Sequence, residues 1–154
     1  MAGTVITFYS YKGGVGRSFT MANIAVLLAR WGYRVLTIDW DLEAPGLHHY
    51  FAPVLRGAPK GGVIDLAHDF LAGANEPAAH ALKVAVEGNG SLELLAAGKM
   101  DRSYMRRMQA IDWAQLYEKG FARFLEVCRD RWTADHDFVL IDSRTGSTRC
   151  RCRS

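Results

Sequence analysis

The sequence predicts an α/β fold of the doubly wound kind, a mainly parallel sheet with helices on both faces. Three observations carry that expectation. Short apolar runs rich in β-branched and aromatic residues recur at residues 4–9 (TVITFY), 34–38 (RVLTI), 91–96 (SLELLA) and 138–141 (FVLI). Segments with helical apolar spacing lie between them. The first two runs are joined by a glycine-rich stretch and a helical segment, a βαβ arrangement that calls for parallel strands and a right-handed crossover.

Taken in order, residues 4–9 form a buried strand that stops at a glycine cluster. Residues 18–31 are apolar on most faces and end before Gly32, a residue suited to closing a helix. Residues 34–38 form a second buried strand ending at Asp39. Irregular chain follows through Pro45, Pro53 and Pro59. Residues 63–71 (VIDLAHDFL) have helical spacing, and residues 77–87 are expected as a further helix. Residues 91–96 are the third strand. Residues 101–110 and 113–132 are helical, the second segment broken at Gly120. Residues 138–141 are the fourth strand, ending at Asp142. A further helix and more strands would normally follow it. Instead "STRCRCRS" (147–154) has no apolar periodicity and reads as an irregular basic tail, from truncation or a changed reading frame.

The chain has 154 residues, 49% hydrophobic and 23% charged, with a formal net charge of +3. That is ordinary for a globular domain and too mild to argue for nucleic acid. Its three cysteines, Cys128, Cys150 and Cys152, do not make a disulfide framework. No leader pattern or membrane-length apolar run is present in the sequence, so a cytoplasmic protein is expected.

The chemistry concentrates in "YSYKGGVGRSFT" (9–20). The strict phosphate-binding loop is G-x-x-x-x-G-K-[ST]. Aligned on Gly16, Arg17 and Ser18, it finds Tyr11 in place of the first glycine and Arg17 in place of the lysine. Gly13, Gly14 and Gly16 still sit between a strand and a helix, where backbone N–H groups converge on an anion. Lys12 and Arg17 supply positive charge, and Ser18 a hydroxyl able to ligate Mg²⁺. An ordinary glycine turn fits this stretch equally well by composition alone. The other strand ends shift the balance. "IDWDLEAPG" ends the second strand and "IDSRTG" the fourth. In an open α/β sheet ligands sit at the carboxyl ends of strands, so Asp39, Asp41, Asp142 and Gly146 converge on the same crevice as the glycine loop. Carboxylates beside phosphates require an intervening cation, and Mg²⁺ supplies one.

"KGGVGRS", "VLTIDWDLEAPGL" and "FVLIDSRTG", in that order, resemble the deviant Walker A ATPases, the ParA/MinD-type, P-loop NTPase-like family. The resemblance covers residues 1–146 as the N-terminal part of the family's domain. It implies a Mg-dependent, slow ATP hydrolase that works as a nucleotide-controlled dimerisation switch. It makes Lys12 the signature lysine that reaches the partner's phosphates. It makes Asp41 the residue that positions attacking water and Asp39 its neighbour near Mg²⁺. It places nucleotide on Lys12, Gly13, Gly14, Val15, Gly16, Arg17, Ser18 and Phe19, with Asp142 and Gly146 in the region that senses the γ-phosphate. Lys12, Arg17 and Asp41 are the expected catalytic residues; Ser18, Asp39 and Asp142 are expected at the metal. Arg17 departs from the family's usual lysine, and an arginine forks onto oxygens where a lysine is a point charge. Two alternatives therefore stand beside the ATPase: a nucleotide-binding signalling or scaffold module that does not hydrolyse, and an inactive fragment of such a protein.

Weaker signals read as structure. Lys99, Arg102, Arg106 and Arg107 form a short basic cluster, for which a solvated helix face is a better reading than a DNA- or partner-binding patch. His48 and His49, just past the second-strand motif, are within reach of a nucleotide or partner, but plain loop is the better reading. Leu116, Phe121, Phe124, Leu125 and Cys128 are expected on a core face. Nothing resembles an amphipathic membrane anchor. Finally, the glycine-loop strand should lie beside residues 138–141, with its other neighbour drawn from sequence after Gly146. The 154-residue chain is therefore expected to leave that strand with an open edge.

Overall fold

The computed structural model describes residues 2–11, 14–77 and 79–144. Five strands among these residues form one sheet: β1 (Thr4–Ser10), β2 (Arg34–Asp39), β3 (Leu82–Val84), β4 (Ser91–Leu95) and β5 (Phe138–Arg144). Their order across the sheet is β1-β5-β2-β4-β3. The β1–β5, β2–β5 and β2–β4 pairs are parallel, and only the short β3 runs antiparallel, against β4. Among the described residues six helices pack with the sheet: α1 (Arg17–Arg30), α2 (Leu47–Phe51), α3 (Val63–Leu71), α4 (Tyr104–Gln109), α5 (Trp113–Glu118) and α6 (Phe121–Asp135). This is the expected α/β doubly wound, mainly parallel architecture.

The two faces of β2 and β5 feed two separate cores. Val35 and Leu140 pack with Met21, Ala25 and Ala29 of α1 and with Leu47 and Phe51 of α2. Leu36, Ile38 and Val139 pack on the opposite face with Ile64, Ala67, Leu116, Phe121, Phe124 and Cys128. Strands covered on both sides read as continuous apolar runs, which is why these two stood out in the sequence. Each fully buried large side chain here contributes about 1.5–3 kcal/mol relative to exposure. The one buried hydroxyl in β2 is satisfied, since Thr37 Oγ1 donates to the Glu93 carbonyl at 2.9 Å.

Four readings of the sequence need amendment. The helix expected over 77–87 is not found in the described residues of that stretch; Leu82–Val84 is a strand paired with β4, so pairing at that sheet edge outweighed local helical spacing. His48 and His49 lie on the short helix α2 and not in a loop. The fourth strand extends to Arg144. The strand holding residues 4–9 is not buried. β1 pairs with β5 alone, and Val5 and Ile6 are each 38% exposed, because among the described residues no strand lies on its outer side. The break at Gly120 is seen, with φ at 89° between α5 and α6.

Candidate functional site

The parallel register brings three strand ends together. Asp142 of β5 lies opposite Phe8 of β1 and Asp39 of β2, and the Trp40 amide donates to the Asp142 carbonyl at 2.9 Å. β1 then leads through the glycine loop into α1. Gly14 and Gly16 have φ of 74° and 78°, left-handed values that a side chain disfavours. Gly16 is the N-cap of α1, and no side chain caps that end. The first turn also carries no acidic residue. The helix therefore offers its N-terminal amides and positive dipole end to the crevice without an internal counter-charge.

A pocket of about 330 Å³ opens at this point. It is lined by Gly14, Val15, Gly16, Arg17 and Ser18 of the loop and α1 and by Asp41, Gly46, His49 and Tyr50 from the segment after β2. Phe19, expected at this site, is exposed and does not line the pocket; its ring lies 6.1 Å from that of Tyr50, which does. Lys12, Gly13 and Gly146, expected at this site, lie outside the described residues.

The side chains of the site hold one another. Arg17 Nη2 donates to Asp41 Oδ2 at 3.1 Å and Nη1 to Ser10 Oγ at 2.9 Å. Its Nε donates to Asp142 Oδ1, while the Ser18 hydroxyl donates to Asp142 Oδ2. The Arg17 and Asp41 side chains are each 10% exposed and Asp142 only 1%. Burial alone would lower the Arg17 pKa, but its bonds to Asp142 and Asp41 more than offset that, and the net direction is upward. The guanidinium is thus a fixed cation between two carboxylates.

Asp39 has a different task. It is fully buried. Its Oδ2 accepts from the amides of Gly46 (3.1 Å) and Leu47 (3.0 Å), and its Oδ1 from the amide of Asp41 (3.2 Å). It caps the start of α2 and fixes the turn that presents Asp41. Burial pushes its pKa up to about 7, with the nearby Asp142 charge acting in the same direction against the three amides.

The residues the sequence singled out at Arg17, Ser18, Asp41 and Asp142 are therefore in direct contact. Ser10, Tyr50 and Arg144 also line the pocket and were not foreseen; His49, which the sequence offers as a nucleotide or partner contact less readily than as plain loop, lines it too. A signal existed for α2, since Leu47 and Phe51 are four residues apart and both buried. In the basic cluster, Arg107 is committed to Asp65 at 2.8 Å and Lys99 to Asp101 at 3.1 Å, leaving Arg102 and Arg106 exposed. No helix among the described residues is long and apolar enough to cross a membrane.

The sequence pattern of the CobQ/CobB/MinD/ParA nucleotide binding domain matches residues 6–142. The chain belongs to this family. One relative is the septum site-determining protein MinD of Helicobacter pylori, 29% identical over 145 residues, which are 92% of this chain and 45% of that protein. The chain thus spans less than half of that relative's length. Among solved structures, the septum site-determining protein MinD of Pyrococcus horikoshii OT3, complexed with Mg-ADP, superposes with a TM-score of 0.60 at 25% identity, covering 94% of this chain and 50% of that one. The BceF tyrosine kinase domain superposes with a TM-score of 0.52 at 27% identity, covering 91% and 46%. Neighbours of such different names share the fold, so the fold alone does not set what happens to a bound nucleotide.

Proposed function

We propose that this chain carries the phosphate-binding half of a Mg·ATP site of the deviant Walker A type, and that the protein is a nucleotide-controlled dimerisation switch with slow ATP hydrolysis. One observation carries the reading. The Ser18 hydroxyl, in the first turn of an uncapped helix, lines a pocket together with the left-handed Gly14 and Gly16 and donates to the buried Asp142 carboxylate behind it. Phosphate oxygens fit the helix amides, and a hydroxyl beside a carboxylate is a hard-oxygen donor pair suited to Mg²⁺.

Among the described residues no group of three or more His, Cys, Asp or Glu side chains is arranged to hold a metal by itself. That agrees with a cation that keeps water and phosphate oxygens as most of its ligands and takes only one or two from the protein. Ser18 and Asp142 would hold it. Asp39, its oxygens engaged by three amides, supports the site through the 41–47 turn. When bound, Mg²⁺ would neutralise charge on the phosphates. Asp41 lines the pocket and would orient the water. Arg17 would offer its fork to phosphate oxygens. Lys12 keeps the role that the resemblance gives it, across a dimer.

A second reading is favoured by the Arg17 contacts. A guanidinium held by Asp41 and Asp142 is not free to stabilise charge at a γ-phosphate, which suits a module that binds nucleotide without turning it over. Steady-state ATP turnover and nucleotide-dependent dimerisation of the full chain, with and without Lys12→Ala, separate these. The switch predicts ATP-dependent dimers and slow turnover, both lost in the variant. Mg·ATP binding with neither dimerisation nor turnover would select the second reading.

A further inference from the structure

The arrangement of Arg17 carries one more step, which rests on the nucleotide reading above. Asp41 and Asp142 face each other across a single guanidinium, in contact with both, and the same Asp142 carboxylate takes the Ser18 hydroxyl. Three of the guanidinium's donor atoms are engaged, at Asp142, Asp41 and Ser10. We propose that Arg17 is a built-in counter-ion that makes the site select metal-bound nucleotide over free nucleotide.

The charges enforce the selection. A free nucleotide that drew Arg17 onto its phosphates would strip Asp41 and Asp142 of their cation and set two carboxylates beside an incoming anion, in a nearly dry setting. A divalent cation that took Asp142 alone would press against the guanidinium still held there. Each half-reaction opposes itself by like-charge contact. When both arrive together the partners exchange: the metal takes Asp142 and Ser18, and the phosphate takes Arg17. Metal and nucleotide then help each other to bind, and the coupling is reciprocal by linkage.

Arginine suits this in a way that lysine does not. A planar fork with several fixed donors spans Asp142, Asp41 and Ser10 at once, whereas a lysine places one ammonium on a flexible stem. Arg17→Lys keeps a cation but cannot bridge both carboxylates. Asp41→Asn removes one of the two charges that hold the fork.

The test is calorimetry of ADP with the full chain, in EDTA and in excess MgCl₂, for the unaltered protein, Arg17→Lys and Asp41→Asn. The ratio of the two affinities is the coupling. The unaltered chain is expected to show a ratio on the order of 100-fold, and each variant below ~10-fold, within the range that linked sites show. A thermal melt without nucleotide adds a readout independent of ADP: MgCl₂ alone should raise the melting temperature of Arg17→Lys more than that of the unaltered chain. If the unaltered chain binds Mg·ADP but the ratio and the metal-induced shift are the same in all three proteins, Arg17 is not a counter-ion and the inference fails alone. If it binds ADP under neither condition, the nucleotide reading fails with it.

Discussion

Gly16→Ala is the substitution whose cost the structure divides most cleanly between folding and binding. Gly16 has φ of 78°, and a Cβ built there meets nothing within 4 Å. The folded state therefore meets no steric clash, only the left-handed backbone penalty of about 1–2 kcal/mol. For a chain of this size, 1 kcal/mol moves Tm by roughly 2–4 °C, so a fall of roughly 2–8 °C is expected. Gly16 lines the pocket, and a phosphate held by the loop amides would have to approach the backbone there. A methyl group there should weaken Mg·ATP binding by more than tenfold, a loss above about 1.4 kcal/mol at the site itself. The assay pairs a thermal melt with calorimetric titration of Mg·ATP on the same samples. A Tm fall beyond 15 °C would show that the loop is a packed structural element. The expected Tm fall with unchanged affinity would show that phosphate does not sit against Gly16. Either result refutes the reasoning.

Two further outcomes follow from burial and pairing. Asp39 has its folded pKa pushed up to about 7 against an ordinary value of 3.8, so the folded state keeps a proton that the unfolded chain releases. Stability in EDTA should therefore fall as pH rises from about 4 to about 7, by on the order of 4 kcal/mol at most, and Asp39→Asn should flatten that slope; equal slopes in denaturant melts across the window would contradict it. Among the described residues β1 is bonded on one side only, whereas β2 lies between β5 and β4. Amides 5–8 should exchange faster than amides 35–38, and Val5→Lys should reduce concentration-dependent self-association at the open edge; equal protection in the two strands would count against an open edge.

The sequence showed the sheet best where strands are buried on both faces. Residues 34–38 and 138–141 are apolar without a break because helices cover them from either side. β3 was missed because three residues on an antiparallel edge carry no period of their own. α2 was missed because five residues among prolines and glycines look like loop. At the site, the glycine loop and the acidic strand ends were legible as separate motifs. Their contacts were not. Arg17 meets Asp41 24 positions away and Asp142 125 positions away, and only the register of β1, β5 and β2 brings them together. Nothing in the spacing of "KGGVGRS" indicates that its arginine turns inward onto carboxylates. Nor does the pattern "IDWD" show that its first aspartate is spent on backbone amides and its second on the pocket.

The most direct measurement of the central claim is the Mg·ATP affinity of the full chain by calorimetry, compared with Gly14→Val and Ser18→Ala. Gly14 has φ of 74° and open space beyond it, and Ser18 presents its hydroxyl to Asp142. A phosphate on the loop amides with a cation at Ser18 predicts binding by the unaltered chain, lost in Gly14→Val and weakened at least tenfold (about 1.4 kcal/mol) in Ser18→Ala. Affinity unchanged in both variants would contradict the account.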